Sequence, residues 1–534
     1  MKKYILLTPI ILSLLLAACT GGRATPTVEP TIVPPTEQAA EPTAVPAVEE
    51  TALPVDGSTT VPVASVSSLV ATPWQWVSFT NPVEQYEVEN PEKYQLIFGE
   101  DASLVVMADC NVVVGTYTTD GQSIKIELGP STLAACPEDS RSDEFLKYLP
   151  NAAIYFFQDG DLLIDLFADG GTLKFSAYDP LAALRVTSWQ ELLEKTAQSC
   201  DTPGAVLLAD TPQGRFVSAY GLASTEDQTA GQPNDRFQIG SNTKSFTTVL
   251  ALLLQEDGVW SLDDPLSKWL PDQAAKINDG DKITLRMLGQ NHTGLPDYAD
   301  FVIGDALDSG ELDDATLEKG YTPEELVDIG LQLREPNFAP GEGWEYSTTN
   351  FILLAMAIEA ATGKPLDQLY QERIFDPLGM ENTYLLNEVP EDGAFVNGYY
   401  TLTNGEAANV TRWNGSQGWA GGSIVSSAED MAKYAAGLAS GSIFSDPASL
   451  EQLIAFGDGS VGPFGAYGLG VGRWSEDPLA WGHAGQTPGF QSLFAIYPEQ
   501  GTQVVYWVNS GSCNVYNLVT TLNASPDLFT QELP

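Results

Sequence analysis

Ser241 and Lys244 stand three residues apart in Phe237-Gln-Ile-Gly-Ser-Asn-Thr-Lys-Ser-Phe-Thr-Thr, the only Ser-x-x-Lys of the 534-residue chain. A serine hydroxyl attacks a carbonyl when a neighbouring base takes its proton. A buried lysine is such a base, because desolvation lowers its pKa. Phe246, Val249, Leu250, Leu253 and Leu254 follow at helical spacing. They predict a helix with one face in a core, Ser241 at its start and Lys244 one turn on, on the same side. The positive end of that helix favours a developing anion. The plain alternative is a Ser N-cap followed by a surface lysine. Two later segments carry further proton-moving groups. Pro340-Gly-Glu-Gly-Trp-Glu-Tyr-Ser-Thr-Thr-Asn contains Tyr346 and Thr348, and Trp481-Gly-His-Ala-Gly-Gln-Thr-Pro-Gly-Phe contains His483, Gly485 and Gln486. The chain holds 2 histidines and 5 cysteines without metal-ligand spacing, so neither a metal nor another cofactor is expected.

The elements that must position these groups come in two folded parts. Residues 73–180 show short alternating runs bounded by turn residues, such as Tyr94-Gln-Leu-Ile-Phe, Ser103-Leu-Val-Val-Met and Leu162-Leu-Ile-Asp-Leu. Asp120-Gly121 and Asp159-Gly160 are hairpin signals, so this part reads as a small antiparallel β domain. From about residue 185 the pattern changes. A helix is predicted over Gln190–Gln198, a strand from Gly204, a helix over Asn350–Ala361 ended by Gly363 and Pro365, and strands from Phe490 and Gln503. Helices between two strand-rich ends predict an α/β (α+β) domain over 185–530.

Ahead of both parts, Lys2, Lys3 and an apolar stretch from Tyr4 to Ala18 form an export signal. The stretch is shorter than the roughly 20 residues a spanning helix needs. It ends in Leu16-Ala-Ala-Cys19, which resembles a bacterial lipobox and implies a lipid on Cys19 after cleavage, with residues 1–19 as signal and anchor. Residues 20–72, rich in Thr, Pro, Ala, Val and Glu, read as a disordered spacer. The membrane is thus expected as a partner only through the N-terminal lipid. The formal charge of −47, from 24 basic and 71 acidic residues, argues against a nucleic-acid partner. An oxidising compartment permits disulfides between Cys110 and Cys136 and between Cys200 and Cys513, the alternative being free buried thiols.

Taken in order, the three segments resemble the Ser-x-x-Lys, Tyr-x-Asn and Lys/His-x-Gly motifs of the penicillin-recognising serine hydrolases. That family includes class C β-lactamases, D-alanyl-D-alanine carboxypeptidases, D-aminopeptidases and related esterases. Leu285-Arg-Met-Leu-Gly-Gln-Asn-His-Thr-Gly-Leu-Pro-Asp-Tyr and Gly363-Lys-Pro-Leu-Asp-Gln-Leu-Tyr look similar too. The resemblance implies a β-lactamase/transpeptidase-like antiparallel sheet with flanking helices and a helical lobe. It also implies Ser241 as nucleophile, Lys244 and Tyr346 as acid/base groups, and the backbone N–H groups of Ser241 and Gln486 as oxyanion hole. Gly485 would leave room for a substrate along the strand edge. His483 would orient the substrate or, protonated below about pH 6.5, hold a carboxylate. His292 is read as structural. The β part resembles a META domain, on Trp74, Trp76, Cys110-Asn111, Gly115-Thr-Tyr117 and Phe145-Leu-Lys-Tyr-Leu149, and is expected to act as a spacer or to contact other envelope components.

Two departures bear on the substrate. Thr348 stands where the family has Asn, and a hydroxyl cannot replace both amide functions. Ala484 stands where a threonine often helps bind a carboxylate. Three functions are therefore expected to compete. One is an envelope-anchored serine hydrolase acting on peptidoglycan peptides or a similar D-amino-acid amide, as a D-alanyl-D-alanine carboxypeptidase or in β-lactamase-related amide or ester hydrolysis. The second is a small-ester esterase, and the third a non-catalytic binding lipoprotein on a hydrolase scaffold.

Overall fold

The computed structural model describes residues 69–70, 72–132, 136–137, 139–179, 181–182, 184–304, 314–402, 405–457 and 464–533. Cys19, its lipobox-like lead-in and residues 20–68 of the expected spacer lie outside the described residues.

The β domain places nine strands, among the described residues, in one antiparallel sheet. Its first strand, Trp74–Thr80, pairs with both Tyr94–Phe98 and the last strand, Thr172–Ala177, so the sheet closes on itself. Asp159 and Gly160 both take positive φ, 55° and 90°, in the two-residue turn between Ala152–Gln158 and Asp161–Leu166. That is the backbone an Asp-Gly hairpin supplies at low cost. Alternate residues of Ser103–Ala108, Asn111–Asp120 and Asp161–Leu166 point inward, and the helix Ser142–Tyr148 packs against this core. Phe145 of that helix stacks on Trp76 at 5.1 Å between ring centroids. Cys110 is bonded to Cys136.

The second part is built on an eight-stranded antiparallel sheet. Its order is Thr229–Ala230, Gly214–Ser224, Gly204–Thr211, Thr502–Val508, Phe490–Tyr497, Leu479–Thr487, Gly472–Glu476, Ala466–Tyr467. The strand that opens the domain therefore lies beside the one that nearly ends it, Leu208 opposite Val505. Asn509 locks that join, its Oδ1 accepting the Gly204 N–H at 2.6 Å. Cys200 is bonded to Cys513 across the same seam.

Both faces of the sheet are covered, which is why its central strands read as unbroken apolar runs. Ala205, Leu207 and Ala209 face a core shared with the helices Trp189–Ser199 and Tyr516–Asn523. Val206 and Leu208 face the larger core, which holds Thr243–Glu256, Thr348–Thr362 and Ala428–Ala439. The helix after Ser241 was expected to bury one face. Instead every residue from Thr243 to Leu254 is buried, because the helix runs between the sheet and the helical lobe. Thr348–Thr362 is likewise buried all round from Thr348 to Ile358, and ends at Gly363 with φ 66°. Among the described residues no helix is long and apolar enough to cross a membrane.

Candidate active site

Ser241 lies in the turn Gly240–Asn242, between the short strand Arg236–Gln238 and the helix Thr243–Glu256. Gly240 takes φ 53°, and a Cβ on it would stand 2.5 Å from the Gln486 nitrogen. A Cβ on Gly485 would stand 1.9 Å from the Ile239 carbonyl oxygen and 2.7 Å from the Ser241 nitrogen. Two glycines thus let the turn lie directly against the strand Leu479–Thr487. This corrects the expectation for Gly485: its missing side chain makes room for the protein's own turn rather than for a substrate. The strand is paired with Gly472–Glu476 only as far as Gly482, so the edge beside Ser241 begins at His483. Asn242 fixes the turn from behind, donating to Ser492 Oγ at 2.7 Å and to the Ile239 carbonyl at 3.0 Å.

Lys244 is fully buried. Its Nζ donates to Ser241 Oγ at 2.9 Å and to the Gly421 carbonyl at 2.8 Å. The Tyr346 ring lies 4.9 Å from the same nitrogen and the Phe351 ring 5.5 Å. Burial lowers the Lys244 pKa to about 7, partly opposed by the Asp297 carboxylate nearby. About half of the lysines are then neutral at neutral pH, with a lone pair available beside the serine hydroxyl. Gly421 leaves this space open, since a Cβ on it would lie 2.3 Å from Thr348 Cγ2 and 3.7 Å from Lys244 Nζ.

Tyr346 is half-buried, with its phenol beside Ser241. Burial, reinforced by Tyr467, holds its phenol well above the usual tyrosine range. The phenol therefore enters any reaction as a neutral proton donor. Its ring is part of an aromatic wall with Trp344, Tyr467 and His483.

His483 is buried, and its role differs from the expected carboxylate clasp. Nδ1 faces the Ala484 carbonyl oxygen at 2.5 Å, which only an N–H can satisfy. Nε2 then carries the lone pair and accepts from the Tyr467 hydroxyl at 2.9 Å. Burial and the nearby Lys244 lower its pKa to about 3. The imidazole is neutral at physiological pH, and it positions Tyr467 within the wall.

Thr348, in the position expected to bind substrate, donates its hydroxyl to Asp297 Oδ2 at 3.0 Å. Asn350 does not take over the asparagine's place. Its Nδ2 donates to Asn291 Oδ1 at 3.0 Å and its Oδ1 accepts from Thr293 at 2.5 Å, both inside the protein. Gln486 presents its backbone nitrogen to the turn, while its side chain donates to the Gly511 carbonyl at 2.9 Å. His292 Nδ1 meets the Gly343 carbonyl at 2.7 Å and holds the segment leading to Tyr346. Asp297 is not among the site residues expected from the sequence: it stands in the run Leu295-Pro-Asp-Tyr298, and its carboxylate reaches the site only through the fold, 51 residues from Thr348.

Comparison with known proteins matches this arrangement. Residues 189–522 match the Beta-lactamase family and residues 67–179 the META domain. Penicillin-binding protein 4* of Bacillus subtilis is 26% identical over 359 residues, covering 64% of this chain and 76% of that protein. A D-aminopeptidase of Brucella anthropi is 30% identical over 303 residues, covering 54% of this chain and 52% of its own length. Among solved structures, the D-amino acid amidase from Ochrobactrum anthropi SV3 complexed with D-phenylalanine superposes with a TM-score of 0.56 at 25% identity, covering 66% of this chain and 99% of that one. The chain belongs to the β-lactamase family of serine hydrolases and carries a META domain ahead of its hydrolase domain.

Proposed function

We propose that this protein hydrolyses small amides or esters through an acyl-enzyme on Ser241. The observation that carries the reading is the 2.9 Å contact of Ser241 Oγ with a buried lysine whose pKa is near 7. Neutral Lys244 takes the Ser241 proton as the oxygen attacks the carbonyl carbon. The backbone N–H groups of Ser241 and Gln486 receive the oxyanion. Tyr346, a neutral phenol beside Ser241, hands a proton to the leaving amine or alcohol and takes one back when water attacks the acyl group. An intact catalytic pair favours this over a binding-only role.

The substrate reading follows the site's charges. A carboxypeptidase needs a cation for the free carboxylate, and neutral His483 with Ala484 beside it does not supply one. Relatives named D-aminopeptidase and D-amino acid amidase support a D-amino-acid amide, and one named esterase supports esters. The N-terminal signal and Cys19 support attachment to the outer side of the cell membrane. The test is intact-mass detection of an acyl adduct on Ser241 with D-alanine p-nitroanilide, a D-Ala-D-Ala peptide, a penicillin and p-nitrophenyl acetate. An adduct with the anilide and the acetate but not the dipeptide is expected. Label on another residue, or none with any probe, rejects the reading.

A further inference from the structure

We infer that Asp297 is the residue that selects substrates carrying a free ammonium group next to the scissile carbonyl; this rests on the acyl-enzyme reading above and names its substrate class. Asp297 is half-buried, in the turn that opens after Pro296. Each of its carboxylate oxygens accepts one hydrogen bond from the protein: Oδ1 from the Ala299 N–H at 3.0 Å and Oδ2 from the Thr348 hydroxyl at 3.0 Å. Among the described residues no lysine, arginine or histidine forms an ion pair with it. With one hydrogen bond accepted at each oxygen, the carboxylate keeps lone pairs to spare.

Close contacts link it to the reacting atoms. Ser241 Oγ touches Lys244 Nζ, the space at Gly421 separates Lys244 from Thr348, and Thr348 holds the carboxylate. Its charge is felt at Lys244, Tyr298 and Tyr346. The two phenols are neutral, and Lys244 must be neutral at the moment of attack. With His483 neutral as well, the carboxylate is then the one uncompensated charge of this group. A half-buried carboxylate attracts a cation and repels another carboxylate. Where the family motif has an asparagine amide, this chain has a threonine that orients an acid. The recognised group is therefore an ammonium, as on an unblocked amino-acid amide.

The experiment compares D-alanine p-nitroanilide with N-acetyl-D-alanine p-nitroanilide, using p-nitrophenyl acetate as a probe of Ser241 chemistry alone. The unmodified protein is expected to prefer the free amine by roughly tenfold or more in kcat/KM, the usual gain from a hydrogen bond to a charged group. That preference should fall above about pH 8, where an α-amine loses its proton. In Asp297→Asn the ratio of the two anilides should collapse toward one, mainly through KM, and Asp297→Glu should keep part of it. A ratio unchanged in Asp297→Asn, or a pH-independent preference in the unmodified protein, overturns the inference. If p-nitrophenyl acetate acylates Ser241 while the unmodified protein favours the acetylated anilide, this inference fails and the acyl-enzyme stands. If no probe acylates Ser241, both fall.

Discussion

Gly240 and Gln486 meet backbone to backbone: a Cβ on the glycine would stand 2.5 Å from the Gln486 nitrogen. Two segments 246 positions apart are thereby held at one point, with the Ser241 nitrogen beside them. On the proposed mechanism this contact sets where an oxyanion would bind. Gly485 makes the same contact from the strand side.

Gly485→Ala should therefore impair catalysis more than folding. The new methyl meets the Ile239 carbonyl and pushes the turn, displacing the oxyanion donors. Losing one such donor costs roughly a hundredfold or more in kcat. Acylation rates and thermal melting of the variant check this, and acylation within threefold of the parent contradicts it.

Ser241→Ala should abolish turnover, by several orders of magnitude, with the melting temperature little changed. Ester hydrolysis and circular dichroism on the same sample decide it.

Lys244→Met and Tyr346→Phe should each slow acylation strongly, with a double variant little worse than the poorer single. Groups on one proton route act as a unit. Multiplicative losses in a double-mutant cycle would assign one of them a structural role.

Lys244→Met should also raise thermal stability at pH 6. Folding lowers the lysine pKa from 10.5 to about 7. The unfolded chain then holds more protons between those pH values, so stability rises as pH goes from 7 to 10.5, and the cost of the buried charge is greatest below 7. Part of the gain is offset by the orphaned Gly421 carbonyl. Melting curves at pH 6 and pH 10 measure it: the variant's advantage should shrink at the higher pH.

Reduction should destabilise the hydrolase domain through Cys200–Cys513, which closes a loop of 313 residues. In the chain-entropy model such a loop is worth up to about 5 kcal/mol. Non-reducing peptide mapping should find this pair and Cys110–Cys136, and free thiols at these positions would contradict it.

Local structure was legible where local chemistry decides it. Asp159-Gly160 turns the chain because both residues accept positive φ, and Gly363 stops a helix for the same reason. Ser241 and Lys244 could be paired because one helical turn joins them. What the sequence hid depends on distant neighbours. His483 looked like a titratable clasp, but the fold gives its two ring nitrogens to the Tyr467 hydroxyl and the Ala484 carbonyl. Thr348 looked like a weakened substrate contact, and the fold instead gives it Asp297. The helix after Ser241 showed an apolar stripe in the sequence. Its threonines and serine are buried as well, since they bond to backbone and side chains around them, as Thr247 does with the Ala420 carbonyl at 2.7 Å.

The central claim is that neutral Lys244 activates Ser241. Its most direct measurement is the pH dependence of Ser241 acylation by p-nitrophenyl acetate, followed by intact mass and located by peptide mapping from pH 5 to 9. The rate should rise about tenfold per pH unit below 7 and level off above it, following a base of pKa about 7, and Lys244→Met should lose that limb. An adduct elsewhere, or a profile in Lys244→Met that still bends near pH 7, would contradict the account.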